Sequence, residues 1–232
     1  MRMVRVSGAW IAVAAALVLT ASSASAFTLR SPQATVNGGS LQGYLNANDG
    51  GINVGTDQLD AQVWTASISG NSSFTLMLEL AGNAASNNIG IYNTADGPTP
   101  TLFQVFPGAA SAGWSAMAHF AGGNLTVTLF DNNAIIQGQT FYAGVNANAF
   151  GFYLQGPGGT FYTQDARNGG AAQALTYAGT GQNFGDWWMC FEDLTAAGGS
   201  DYDYDDAVLL LQSVVPTPTG ARTWGALKAL YR

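Results

Sequence analysis

The stretch FGFYLQGPGG, residues 150–159, couples a strand-length run rich in aromatic residues to a turn built from three glycines and a proline. Aromatic and β-branched side chains suit the pleated, half-buried surface of a sheet. Glycine and proline supply the positive or fixed φ at which a chain reverses. The same couplet recurs along the chain. Residues 74–80, 88–92, 102–106, 125–130 and 207–211 have strand length and composition. Between such runs lie Asn37-Gly38-Gly39, Asp49-Gly50-Gly51, Asp96-Gly97-Pro98, Gly122-Gly123-Asn124 and Asn168-Gly169-Gly170. No convincing amphipathic helix precedes the C-terminus, and Ala171 to Ala174 offers at most one helical turn. The pattern predicts an all-β fold, a β-sandwich of jelly-roll type.

The two ends of the chain read differently from its middle. Arg2 and Arg5 precede an apolar run, residues 8–19, followed by small residues ending in Ala24-Ser25-Ala26. This is the pattern of a secretory signal peptide cleaved before Phe27, and the run is too short for a stable spanning helix. The expected folded domain is residues 27–213. From 214 to 232 the chain reads as a Pro/Thr linker and a short tail, because Pro216 and Pro218 each remove a backbone donor. Within that tail Trp224, Leu227, Leu230 and Tyr231 fall near one helical face. It reads either as a helix packed back on the domain or as a tag for a sorting system.

Composition narrows the function. Removing residues 1–26 leaves 5 basic residues against 14 acidic ones, a net charge of −9. Such a surface disfavours nucleic acid and anionic membranes, and the mature chain has no spanning segment. With 47% hydrophobic and 9% charged residues, the chain is also unlike a disordered acidic tail. Cys190 is the single cysteine, so no internal disulfide exists; between Met189 and Phe191 it reads as a small buried hydrophobe. The single histidine, His119, has no GxSxG-like elbow near it.

Seven of the fourteen acidic residues fall within DWWMCFEDLTAAGGSDYDYDD, residues 186–206, and no lysine or arginine lies between Arg167 and Arg222. Crowded carboxylates without cations repel one another. In an oxidising, calcium-rich exterior the natural counterion is Ca²⁺, a hard cation that gathers oxygen ligands from flexible acidic loops. Gly198-Gly199 supplies a bend that returns Glu192 and Asp193 toward Asp201 and Asp203. In an extended chain the aspartates of DYDYD would share one side; in a tight loop they would wrap one ion. An EF-hand fails the test, since its position-6 glycine would be Asp206 and its position-12 glutamate Gln212. Zinc lacks its histidines and cysteines.

The run Phe191-Glu192-Asp193-Leu194, a glycine pair, then Asp201-x-Asp203-Tyr204-Asp205-Asp206-x-Val208 resembles the C-terminal signature of a secreted bacterial family, domain of unknown function 4114. The stretches FGFYLQGPGGTFYTQDARNGGAAQALTY, ELAGNAASNNIGIYN and SLQGYLN are similar to that family too. Its members often occur in exported surface proteins, some with a PEP-CTERM tail read by exosortase. The resemblance implies a β-rich extracellular domain that binds calcium and has no established enzymatic activity. It carries Glu192, Asp193, Asp201, Asp203 and Asp206 over as metal ligands. Asp205 stands where relatives would have asparagine, and the tail after Pro218 lacks the apolar run of a sorting signal.

The expected function is thus a secreted, non-enzymatic calcium-binding structural or adhesive domain of the cell surface or extracellular matrix, facing a glycan or a matrix protein. Three alternatives stand beside it. The acidic loop is merely solvated; or Trp187, Trp188, Tyr202 and Tyr204 form a carbohydrate platform beside the carboxylates; or two carboxylates serve a glycoside hydrolase.

Overall fold

The computed structural model describes residues 28–80 and 82–217. The signal-peptide pattern and the tail beyond Thr217 lie outside the described residues. Thirteen strands run β1 (Val63–Ala66), β2 (Asn71–Leu78), β3 (Asn88–Asn93), β4 (Leu102–Phe106), β5 (Ser115–Ala121), β6 (Asn124–Phe130), β7 (Ile136–Ala143), β8 (Phe150–Gly156), β9 (Gly159–Tyr162), β10 (Ala174–Ala178), β11 (Trp187–Phe191), β12 (Ala207–Gln212) and β13 (Val214–Thr217). They form two antiparallel sheets. One has the order β10-β11-β12-β2-β5-β6-β7, and the other β13-β1-β8-β3-β4 with β9 paired to β8. The expected β-sandwich is the observed fold.

Alternation along the strands builds the core. On β5, Ala116, Ala118 and Phe120 turn inward while Met117 and His119 face out, the period of two that a sheet imposes. Between the sheets the packing is aromatic. Phe152 meets Trp64 edge-on at 5.7 Å and Phe74 at 5.3 Å, and Phe120 stacks on Phe150. Such offset and edge-on geometries suit the ring quadrupole.

A second core lies on the outer face of the seven-stranded sheet. A helix, α1 (Ser40–Asn48), lays Leu41 and Leu45 over Tyr177, Trp188, Cys190 and Val208. Strand β11 is therefore buried on both faces: Trp187, Met189 and Phe191 enter the inter-sheet core, Trp188 and Cys190 the one under the helix. That explains its unbroken apolar sequence. Cys190 is fully enclosed, and burial pushes its thiol well up. His119 lies strands away, exposed beside the Asn71 amide oxygen at 2.7 Å.

Three local expectations are corrected. Helix α1 forms where none was expected. Its sequence SLQGYLNAN has a mid-helix glycine and no side-chain N-cap, so burial of Leu41 and Leu45 decides it rather than propensity. Residues 171–173 are not helical, Ala174 opens β10, and the short turn is a 3₁₀ segment at Asp165–Asn168. The domain also runs on into the expected linker. Val214–Thr217 pairs antiparallel with β1, Pro216 facing Trp64. Proline is tolerated there because β13 is an edge strand. Among the described residues no helix is long and apolar enough to cross a membrane.

Candidate metal centre

The acidic residues sit on the loop that leaves β11 and returns as β12. Glu192 follows directly on the buried strand, and its backbone N–H donates to the Gln173 carbonyl at 3.0 Å. The loop then turns through Ala196–Gly198, capped by the Thr195 hydroxyl, with Gly199 left-handed at φ +95°. From Asp201 to Asp205 the backbone is not extended. Tyr202 and Tyr204 take φ of +58° and +56°, a conformation that costs a bulky residue energy and persists only where its surroundings hold it. Here they do. Tyr204 is buried with its hydroxyl donating to the Ala172 carbonyl at 3.0 Å. Asn37, far away in sequence but adjacent in space, holds the loop, its side-chain amide donating to the Asp201 carbonyl at 2.6 Å and its N–H to the Tyr202 carbonyl at 2.8 Å.

This coil brings Glu192, Asp201 and Asp203 together, one oxygen from each within 4.8 Å of the others. Glu192 is 1% exposed and its Oε2 is buried without a hydrogen-bond partner. The set is all oxygen and all anionic, and that spacing lets three oxygens share one ion at calcium–oxygen distances of about 2.3–2.6 Å. Neither described arginine answers the charge. Arg30 pairs with Asp165, while Arg167 lies over the Tyr92 and Tyr162 rings and donates to the carbonyls of Thr94, Asp96 and Gly97.

Asp193 and Asp206 take a different place. The Asp193 N–H donates to Asp206 Oδ2 at 2.7 Å, and Asp193 Oδ2 accepts from the Asn87 amide at 2.9 Å. They form a clasp between the two ends of the loop, beside the three converging carboxylates. Gly158 closes over this clasp, since a Cβ there would lie 2.2 Å from the Asp193 carbonyl oxygen. Asp205, buried at 3% exposure, donates its N–H to Asp203 Oδ1 at 3.3 Å. Glu79 also belongs to this neighbourhood, and sequence reasoning missed it. With Asn37 and Asn87 it comes from more than a hundred residues away, so no local spacing signals it.

Electrostatics follow from burial and crowding. Burial, then the charges of Asp193, Glu192 and Asp203, pushes Asp206 up to about 8 against the Asp193 N–H that favours its anion. Burial and Asp193 push Glu79 up to about 7. Glu192 rises by burial and by its neighbours Asp201 and Asp203, opposed by the Ser200 hydroxyl and the Tyr204 N–H. Asp203 rises for like reasons, burial first. A carboxyl with a raised folded-state pKa binds its proton more tightly folded than unfolded, so stability falls as pH rises between the two values. The metal-free protein should therefore lose stability from about pH 4 to about pH 8, and thermal melts in chelator across that range check it. A flat or rising profile would contradict the crowding.

The alternative reading of an aromatic platform finds little exposed ring surface beside the loop. Trp187, Trp188 and Tyr204 are all buried, and only Tyr202 keeps partial exposure. No protein-family model, curated protein or solved structure matches the chain.

Proposed function

We propose that the protein is an exported, non-enzymatic calcium-binding domain with a structural or adhesive role at the cell surface or in the matrix. The observation that carries this reading is the convergence of Glu192, Asp201 and Asp203, with the buried Glu192 Oε2 lacking any partner. A hard divalent cation supplies what that oxygen lacks and offsets the repulsion of its neighbours. Glu192 stands on the end of the most enclosed strand, and Asp201 and Asp203 stand on the returning loop. An ion shared between them would staple β12 to β11 and add stability because it binds the folded form alone. The resemblance of the FEDL and SDYDYDD runs to a secreted family, and the signal-peptide pattern of residues 1–26, both accord with export. A carbohydrate role is weaker, since Tyr202 alone remains for stacking.

Calorimetric titration of calcium into the protein tests the reading. Heat of binding should appear with the wild type and disappear with Asp201→Asn/Asp203→Asn. Equal heats from the two proteins would show that these side chains hold no ion. Magnesium, which demands tighter octahedral geometry and sheds water reluctantly, should bind more weakly.

A further inference from the structure

A groove leads from the edge where β13 leaves its sheet to the acidic loop. It is made of three adjoining cavities of about 310, 370 and 490 Å³. Ala34 and Ala172 line both the first and the second, and Ala171 and Tyr202 both the second and the third. The first cavity lies beside the last described residue. Thr217 pairs with Val63, and Gln62, the next residue along, is part of that cavity's wall.

The groove changes chemistry along its length. Its near end is polar and acidic, with Asp60 and Asp165 set against Arg30 alone. The Arg30 guanidinium is spent on Asp165 and on the Ala174 carbonyl. Even so, Asp165 Oδ1 and Gln33 Oε1 are enclosed there with no hydrogen-bond donor, a condition native structures seldom leave unexplained. Further along the walls turn mainly apolar. Ala171, Ala172 and Tyr204 line the middle, and Phe161, Ala196 and Ala197 the far end, with the half-buried Tyr202 between them.

We infer that this groove is the docking site of the chain's own C-terminal segment, residues 218–232, which lie outside the described residues. Charge, order and reach select this occupant. Residues 28–217 hold two basic residues against fourteen acidic ones, a net charge of −12, whereas residues 218–232 hold Arg222, Lys228 and Arg232 and no acid. A field that repels a second copy of the domain attracts this segment. Arg222 precedes Trp224, Leu227 and Leu230 in the chain, just as the polar cavity precedes the apolar ones in the groove. A guanidinium presents five N–H donors in a planar fork, which is what Asp165 and Gln33 lack. Trp224 and the leucines would then leave water for the apolar walls. Arg222 stands five residues past Thr217, within about 18 Å of extended chain, and Thr217 is already at the groove's mouth. The tether also keeps the segment at a local concentration of about millimolar, against which a separate peptide competes poorly. None of this draws on the ion.

Trypsin digestion, in calcium and in chelator alike, tests the docking. Past Arg30 the enzyme finds only Arg167, Arg222, Lys228 and Arg232, so the products report on the segment directly. Cleavage after Arg222 and Lys228 should be slower than in a synthetic peptide of residues 218–232 by about tenfold or more, because a protease cuts the undocked population. Ala171→Trp, which fills the junction of the two apolar cavities from an exposed position, should restore fast cleavage. Trp224→Ser/Leu227→Ser should do the same from the other side of the contact. A wild type cut as fast as the peptide overturns the inference, as does protection that survives both variants. Protection that fades on dilution overturns it too, since the segment would then be held by another copy. Should Ala171→Trp fail to fold, the Trp224→Ser/Leu227→Ser protein decides, its substitutions lying outside the sandwich.

Discussion

Chelating calcium should lower the melting temperature of the wild-type protein by roughly 5–10 °C and leave Asp201→Asn/Asp203→Asn unmoved. The magnitude comes from linkage: a ligand at about a hundred times its dissociation constant stabilises the folded state by about 2.7 kcal/mol. A domain of this length shifts by about 2–4 °C for each kcal/mol. The variant should also melt higher than the wild type when both are in chelator. Two of the three converging carboxylates are then neutral, and Glu192 no longer faces uncompensated charge. Differential scanning calorimetry of four samples, two proteins with and without EDTA, reads both effects. A wild-type melt indifferent to EDTA would remove the ion from the account.

Phe152→Ala should cost about 3–5 kcal/mol, the larger loss of the two. Phe152 is 1% exposed, and its ring lies 5.7 Å from Trp64, 5.3 Å from Phe74 and 5.6 Å from Phe150. Those neighbours come from β1, β2 and β8 across both sheets, so the hole left by the ring cannot be filled by one side chain relaxing. Urea unfolding should show a lower midpoint at unchanged slope. Phe141→Ala makes the contrast, since that ring stands in solvent and its loss should move the monomer's stability by no more than about 0.5 kcal/mol. Similar costs at the two positions would mean that the inter-sheet core is not where stability resides.

Strands were legible where composition and turn chemistry agreed. Residues 88–92, 102–106, 125–130, 150–154 and 207–211 all fall in strands, with ends displaced by at most two residues, while the expected run 74–80 overshoots β2, which spans Asn71–Leu78. Helix α1 was illegible because its only helical signal is the pair Leu41 and Leu45, and the surface that buries them is assembled from β10, β11 and β12. Pro216 argued for a linker and turned out to mark an edge; the residue was read correctly as a missing donor, but the place where a missing donor does no harm depends on topology. In the acidic loop the sequence showed charge density and glycine bends. It did not show that Tyr202 and Tyr204 turn left-handed, and that turn separates the residues that converge, Glu192, Asp201 and Asp203, from the clasped pair Asp193 and Asp206. Backbone handedness at two tyrosines is set by Asn37 and Ala172, partners that no window around residue 203 contains.

The two-sided enclosure of β11 bears on how this protein can diverge. In an ordinary sheet strand every second position faces water and drifts almost freely. Trp187 through Phe191 has no such position, because each of the five side chains is held in one core or the other. A substitution anywhere from Trp187 to Phe191 therefore disturbs one core or the other, and the loop that carries Glu192 departs from a support with no position free to drift.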